Sequence, residues 1–278
     1  MTFLEALRYG EETLALKGIS DAKCDAWLLL EKVCGIDRNY YYLHMNDELT
    51  EKQQEKYEAL LLKRMAHIPL QYITGEQEFM GFRFMVSPHV LIPRQDTEIL
   101  VLEALKIINP GMDVLDLCTG SGCIIISIAK QIPIRAVASD ISRLALLTAE
   151  ENRKLHDVSV RFIESDLFEK IEGRFDVIVS NPPYIPEKEI KGLMQEVKDY
   201  EPFEALNGKD DGLWFYKKII EEGLNYLKPF GCLLFEIGYD QGEKVADLMQ
   251  INGYQDIKVL QDLAGLNRVV IGKRRNYV

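Results

Sequence analysis

Residues 175–186 read FDVIVSNPPYIP. An apolar run with strand character, FDVIVS, passes without a linker into Asn181-Pro182-Pro183-Tyr184. Neither proline has an N–H to give a sheet ladder and each fixes φ, so the strand has to stop there. Proline keeps its carbonyl, which leaves the loop rich in acceptors. The Asn181 side-chain oxygen and the Pro182 carbonyl can converge on one planar NH2 group and accept both of its hydrogens. Tyr184 can stack a ring against that group, and the double proline holds the geometry with little ordering cost on binding. A plain turn is the competing reading, because Asn-Pro dipeptides often begin one. Location at a strand end opposite a glycine-rich loop favours the first.

That loop is the second constellation. DVLDLC runs into Cys118-Thr119-Gly120-Ser121-Gly122, where two glycines permit a tight turn and close backbone approach to a ligand ahead of a helix N-terminus. A glycine-rich turn alone is a weak signal. It gains weight from Asp140, at the end of the next strand and about 20 residues on, where a carboxylate accepts from ribose hydroxyls. Asp140 could instead cap the helix that starts near Ser142. A third strand ends in ESDLF, which puts the Asp166 carboxylate in reach of an adenine amino group and lays Leu167 over a ring face. A surface turn is the alternative for that pair. Together the three strand ends imply a nucleoside-containing cofactor.

The elements that must position these residues follow from periodicity. Residues 1–72 read as helices throughout. Thr2-Phe3-Leu4-Glu5 and Thr50-Glu51-Lys52-Gln53 have the form of capping boxes, Ser20 or Asp21 can cap a second helix, and Gly35 would end it. The tyrosine triplet Tyr40-Tyr41-Tyr42 reads as packing. Residues 73–87 alternate around Gly75 and Gly81 as a β-hairpin connector. From 88 to 278 seven apolar strand runs (113–118, 135–140, 160–166, 175–180, 231–238, 255–260 and 267–272) alternate with amphipathic helical stretches. That pattern predicts an α/β fold with an open, mostly parallel, doubly wound sheet, whose last two strands are joined too tightly for a parallel crossover. Ligands of such a sheet bind beyond the carboxyl ends of its strands, which is where all three constellations fall.

Composition narrows the classes of function. Lys and Arg number 33 against 44 Asp and Glu, a net charge of −11, which disfavours direct nucleic-acid binding. The five cysteines form no CxxC pair and the four histidines complete no metal spacing, so reduced thiols and no metal are expected. No basic and apolar leader and no membrane-length apolar run is visible, so the expected location is cytoplasmic, and a monomer is the default.

The segments DLCTGSGC, ASD, ESDLF and NPPY resemble the class I S-adenosylmethionine-dependent methyltransferases that modify exocyclic or amide nitrogens. PLQYITGEQEF, SPHVLIPRQDTEILV, EPFEALNGKDDG and NRVVIGK narrow the resemblance, over essentially the whole chain, to the HemK/PrmC family of protein-(glutamine-N5) methyltransferases. The NPPY motif by itself is shared with DNA adenine and rRNA guanine methyltransferases. The resemblance implies a Rossmann-like seven-stranded methyltransferase sheet behind a small all-α N-terminal domain that docks the substrate. It implies methyl transfer from S-adenosylmethionine, leaving S-adenosylhomocysteine, to the glutamine of the GGQ motif of class 1 peptide chain release factors, in translation termination. Carried over by position, Cys118 to Gly122, Asp140, Leu167 and Asn181 would contact the cofactor. Asn181 to Tyr184 would hold the substrate amide, and Pro93 to Glu98 would wall the methionine end. Two residues depart from the family pattern: Cys118 stands where glycine is usual, and Gln95 where proline is common.

Overall fold

In the computed structural model, which describes residues 1–275, the chain forms two compact units. The first comprises Met1–Gly75 together with Met194–Tyr200. Its helices are Phe3–Leu16, Ala22–Cys34, Arg38–His44, Glu51–Met65, Leu70–Thr74 and Gln195–Tyr200. Both capping boxes form: Thr2 Oγ1 accepts from Glu5 N at 3.2 Å while Glu5 Oε2 accepts from Thr2 N at 2.9 Å, and Thr50 pairs with Gln53 in the same way. Gly35 ends the second helix in the left-handed conformation. Asp21 occupies the cap position of that helix, yet no side-chain cap bond forms there. Of the tyrosine triplet only Tyr41 is buried, at 4% exposure, against Trp27; Tyr40 stacks on His44, and Tyr42 is 65% exposed. The segment Met194–Tyr200 enters this unit through Arg64, whose guanidinium binds Asp25 at 2.6 Å and Glu196 at 2.7 Å, and through Tyr200 Oη on the Ala66 carbonyl at 2.5 Å. Nothing in the local sequence marks that excursion.

The second unit is Glu76–Leu193 with the chain from Glu201 onward. Strands β1 (Glu76–Phe79) and β2 (Phe82–Met85) form the hairpin. It is tied into this unit's core by buried Phe79 and Phe84 and by Asn152, whose amide accepts from Met85 N at 2.6 Å and donates to Met85 O at 3.0 Å. The main sheet comprises β3 (Asp113–Leu117), β4 (Arg135–Asp140), β5 (Val160–Glu164), β6 (Phe175–Ser180), β7 (Leu227–Glu236), β8 (Tyr254–Gln261) and β9 (Asn267–Arg274). Its order is β5-β4-β3-β6-β7-β9-β8. The first five of these neighbours are parallel; β9 is antiparallel to both β7 and β8. This is the doubly wound class read from the sequence. Apolar layers cover both faces, with Ile125 and Val179 in one cluster and Leu115 and Ile178 in the other. Successive strand residues point to opposite faces, which is why Ile178 and Val179 fall in different layers. Among the described residues no helix is long and apolar enough to cross a membrane.

The chain direction across the sheet reverses between β3 and β6. Strands that move outward in opposite directions leave a crevice at their carboxyl ends, and this one lies between the glycine loop after β3 and the proline loop after β6. Ser180 Oγ closes its base by donating to the Leu117 carbonyl at 2.8 Å.

Candidate active site

A cavity of about 630 Å3 opens at that switch point. On the β3 side it is lined by Cys118, Thr119, Gly120 and Ser121. Cys118 has φ +60°, so the backbone demand that favours glycine is present and a cysteine meets it. Gly122 does not line the cavity. It has φ +79°, and an added Cβ would sit 2.9 Å from Ile126 Cδ1 and 3.3 Å from Ala149 Cβ, so its role is close packing behind the loop. A Cβ at Gly120 would meet nothing within 4 Å, leaving its backbone open to approach by a ligand.

Asp140, at the end of β4, lines the cavity and accepts from Gly120 N at 2.8 Å through Oδ2 and from Ser142 N at 2.9 Å through Oδ1. The helix cap is Ser142, which accepts from Ala145 N. Asp140 therefore pins the glycine loop to the next strand, and each of its oxygens keeps a lone pair for a ligand hydroxyl. Burial pushes its carboxyl above the usual range, and the N–H donors of Ser142 and Gly120 oppose that. Asp166 and Leu167 line the same cavity from the end of β5; Leu167 has φ +44°, in a turn closed by Ser165 Oγ on its carbonyl.

The proline loop divides. Asn181 and Pro183 line the cavity, whereas Pro182 and Tyr184 do not. The Asn181 Nδ2 donates to Thr97 Oγ1 at 3.4 Å, which leaves Oδ1 as the end of the amide available to a ligand. Tyr184 turns inward: its hydroxyl donates to Glu236 Oε1 at 3.1 Å and its ring packs on the core layer that contains Tyr216 and Phe235. Its carbonyl accepts from Gln241 Nε2 at 2.9 Å. Cβ atoms added to Gly208 and Gly212 would fall 2.7 Å and 2.3 Å from Tyr184 backbone atoms, so the GKDDG segment is glycine-bounded because it lies directly on the Tyr184 main chain.

The remaining motifs build the surroundings. Pro93, Arg94 and Thr97 line the cavity, and Arg94 is ion-paired with the buried Glu201 of EPFEAL. Arg268 of NRVVIGK binds Asp96 at 3.1 Å and Asp262 at 3.2 Å. Sequence reasoning missed the outer wall formed by Phe203, Trp214 and Phe215, and missed Glu236 altogether. Exposed aromatics inside an otherwise amphipathic stretch, and one acid inside the apolar run CLLFEIG, are the signals that could have found them.

Deep beneath the glycine loop, Asp116 is fully buried and accepts from Thr119 Oγ1 at 2.6 Å, while its Oδ1 has no partner among the described residues. Burial pushes its carboxyl up to about 7.

The geometry has counterparts among known proteins. Residues 5–75 match the PrmC N-terminal domain and residues 95–197 the methyltransferase small domain. A release factor glutamine methyltransferase of Geobacter sulfurreducens is 40% identical over 274 residues, covering 98% of this chain and 96% of that protein. One from Clostridium botulinum is 41% identical over 286 residues, covering all of both chains (100% and 100%). Among solved structures, a methyltransferase from Pyrococcus furiosus aligns with a TM-score of 0.55 at 18% identity, over 79% of this chain and 98% of that one, a likeness of fold alone. With full-length identity at this level, the chain belongs to the release factor glutamine methyltransferase family.

Proposed function

We propose that this protein transfers a methyl group from S-adenosylmethionine to the side-chain N5 of the GGQ glutamine of class 1 peptide chain release factors. The observation that carries the reading is the placement of Asn181. It lines the switch-point cavity together with Asp140, Asp166 and the glycine loop, and its NH2 end is occupied by Thr97. The residues fit the donor. Asp140 accepts from ribose hydroxyls, Asp166 from the adenine amino group, Leu167 covers a face of the base, and Cys118 to Ser121 line the path between. When bound, S-adenosylmethionine supplies a methyl group on a sulfonium, already activated toward nucleophiles.

The task left to the chain is to present a weak nucleophile. An amide nitrogen shares its lone pair with the carbonyl, so positive charge grows on it as it is alkylated. Asn181 Oδ1 accepts one N–H of the substrate amide. Pro182 lies outside the cavity lining, between Asn181 and Pro183 which form it. Its carbonyl, to which no backbone N–H donates among the described residues, is the second acceptor in this reading, met at the cavity edge. Two preorganised acceptors of this kind contribute about 2–4 kcal/mol to the transition state, and alignment by the rigid Pro182-Pro183 pair about 7–11 kcal/mol at best. Tyr184 acts as the anchor of the loop, through Glu236 and Gln241. No general base is required, because an alkylated amide bearing an extra proton is strongly acidic. A single glutamine offers too little contact area to discriminate among proteins, so the helical unit serves as the docking surface for the release factor.

Incubating the protein with a purified release factor and S-adenosylmethionine, then locating the added mass by peptide mass spectrometry, tests this directly. Methylation on the GGQ glutamine is expected. Asn181→Ala should abolish most turnover while the cofactor Kd by calorimetry stays near wild type, and Asp140→Ala should weaken that Kd. Methyl transfer to another residue, or to RNA alone, would refute the assignment.

A further inference from the structure

Behind Asn181 lies a chain of polar groups that the proposed chemistry does not itself use. Thr97, on the helix Gln95–Leu105, is 3% exposed, and Glu236, at the end of β7, is 1% exposed. The Thr97 hydroxyl lies beside the Glu236 carboxyl and favours its charged form, and Thr97 Oγ1 accepts from Asn181 Nδ2. The Tyr184 hydroxyl donates to the same carboxyl, at Oε1. Oε2 has no hydrogen-bond partner among the described residues. A fully buried acid inside an apolar strand is costly, so its presence calls for a reason.

We propose that Glu236 and Thr97 are positioning residues that fix the orientation of the Asn181 amide, so that its oxygen rather than its NH2 faces the substrate. The logic is one of hydrogen-bond polarity. A carboxylate only accepts, so both hydroxyls that touch it must donate. A Thr97 hydroxyl whose proton is given to Glu236 offers only lone pairs to its other neighbour. Asn181 must then turn its NH2 toward Thr97, and Oδ1 is left toward the cavity. With the amide reversed, the site would present two donors to a substrate NH2 group, a repulsive arrangement. The Tyr184 hydroxyl, held by the same carboxyl, couples this polarity to the position of the proline loop. Burial pushes the Glu236 carboxyl above its ordinary range, and the Thr97 and Tyr184 hydroxyls and the Arg268 charge oppose that by favouring the carboxylate. The inference rests on the methyl-transfer reading above, since it assigns the acceptor role to Asn181.

Three variants test it: Thr97→Val, which keeps the shape and removes the hydroxyl; Thr97→Ser, which restores the hydroxyl; and Glu236→Gln, whose amide can donate to Thr97 and reverse the relay. Measured are kcat and KM with release factor, cofactor Kd by calorimetry, and Tm. Thr97→Val should lower kcat about tenfold or more, the rate equivalent of one hydrogen bond, with KM and cofactor Kd within about threefold of wild type. Thr97→Ser should recover kcat to within about threefold at the same Kd, and Glu236→Gln should lower kcat as Thr97→Val does. A merely structural role would lower Tm and leave kcat of the folded fraction unchanged. Wild-type methylation of the glutamine with Thr97→Val turning over within about twofold, or with Thr97→Ser as slow as Thr97→Val, would overturn this inference and leave the functional reading intact. A wild-type protein that leaves the glutamine unmodified would overturn both.

Discussion

Replacing Gly212 with alanine separates two demands that a glycine can meet, conformational freedom and clearance. Gly212 has φ +72°, and its added Cβ would lie 2.3 Å from the Tyr184 carbonyl oxygen and 2.7 Å from Gln241 Nε2, the pair that hydrogen-bond each other at 2.9 Å. Gly265, in the β8–β9 turn of the same unit, has φ +80° with nothing within 4 Å of the added Cβ. An L-residue in the left-handed region costs about 1–2 kcal/mol, and lower entropy of the unfolded chain returns about 0.4–1 kcal/mol. Gly265→Ala should therefore lose about 1 kcal/mol, or about 2–4 °C in Tm. Gly212→Ala carries that cost plus about 1–3 kcal/mol for forcing an atom into a filled space, a total of about 2–4 kcal/mol and about 4–16 °C. Because the displaced atoms belong to Tyr184, the folded variant should also lose kcat, as a shift on the order of 1 Å at a reacting group costs about a hundredfold. Scanning calorimetry of both variants, followed by single-turnover methylation below the lower Tm, reads both effects. Equal Tm losses in the two variants, or a Gly212→Ala protein with wild-type turnover, would refute the claim that GKDDG supports the proline loop by contact.

Two further outcomes are expected. At Cys118, φ +60°, glycine should be tolerated with Tm within about 2 °C of wild type and unchanged cofactor Kd, whereas Cys118→Val should lose about 2 kcal/mol because β-branched residues resist the left-handed region; comparable Tm values for the two variants by differential scanning fluorimetry would contradict this. Asp116 titrates in the folded protein near 7 against an ordinary 3.8, so the buried carboxyl is most compatible with folding when protonated. Its contribution is fully present below pH 3.8 and is lost as pH rises through about 7. Asp116→Asn, which does not titrate, should show a Tm advantage over the cofactor-free wild type that grows from pH 5 to pH 8, and parallel profiles would sink the prediction.

The features legible in the amino-acid order are those that local rules govern. Thr2 with Glu5 and Thr50 with Gln53 announced their helices because a cap involves residues three apart. The seven strands announced themselves by apolar runs, and the proline pair by a covalent inability to extend a ladder. The strand-end rule then put Asp140, Asp166 and Asn181 beside one cavity without any knowledge of distances. The remainder was settled by partners far apart in the chain. β9 inserts between β7 and β8, which no local pattern specifies. Tyr184 reads as a ring for stacking until Glu236, 52 positions later, is found holding its hydroxyl. Asp140 reads as a helix cap or a ribose ligand until Gly120, 20 positions earlier, is found on its carboxylate. Met194–Tyr200 reads as part of the α/β unit until Arg64, buried in the helical unit, claims Glu196. A local pattern reports what a residue is able to do. Only the folded chain decides which of its hydrogen-bonding capacities are already spent, because the partners that spend them are brought close by the core and not by the covalent order.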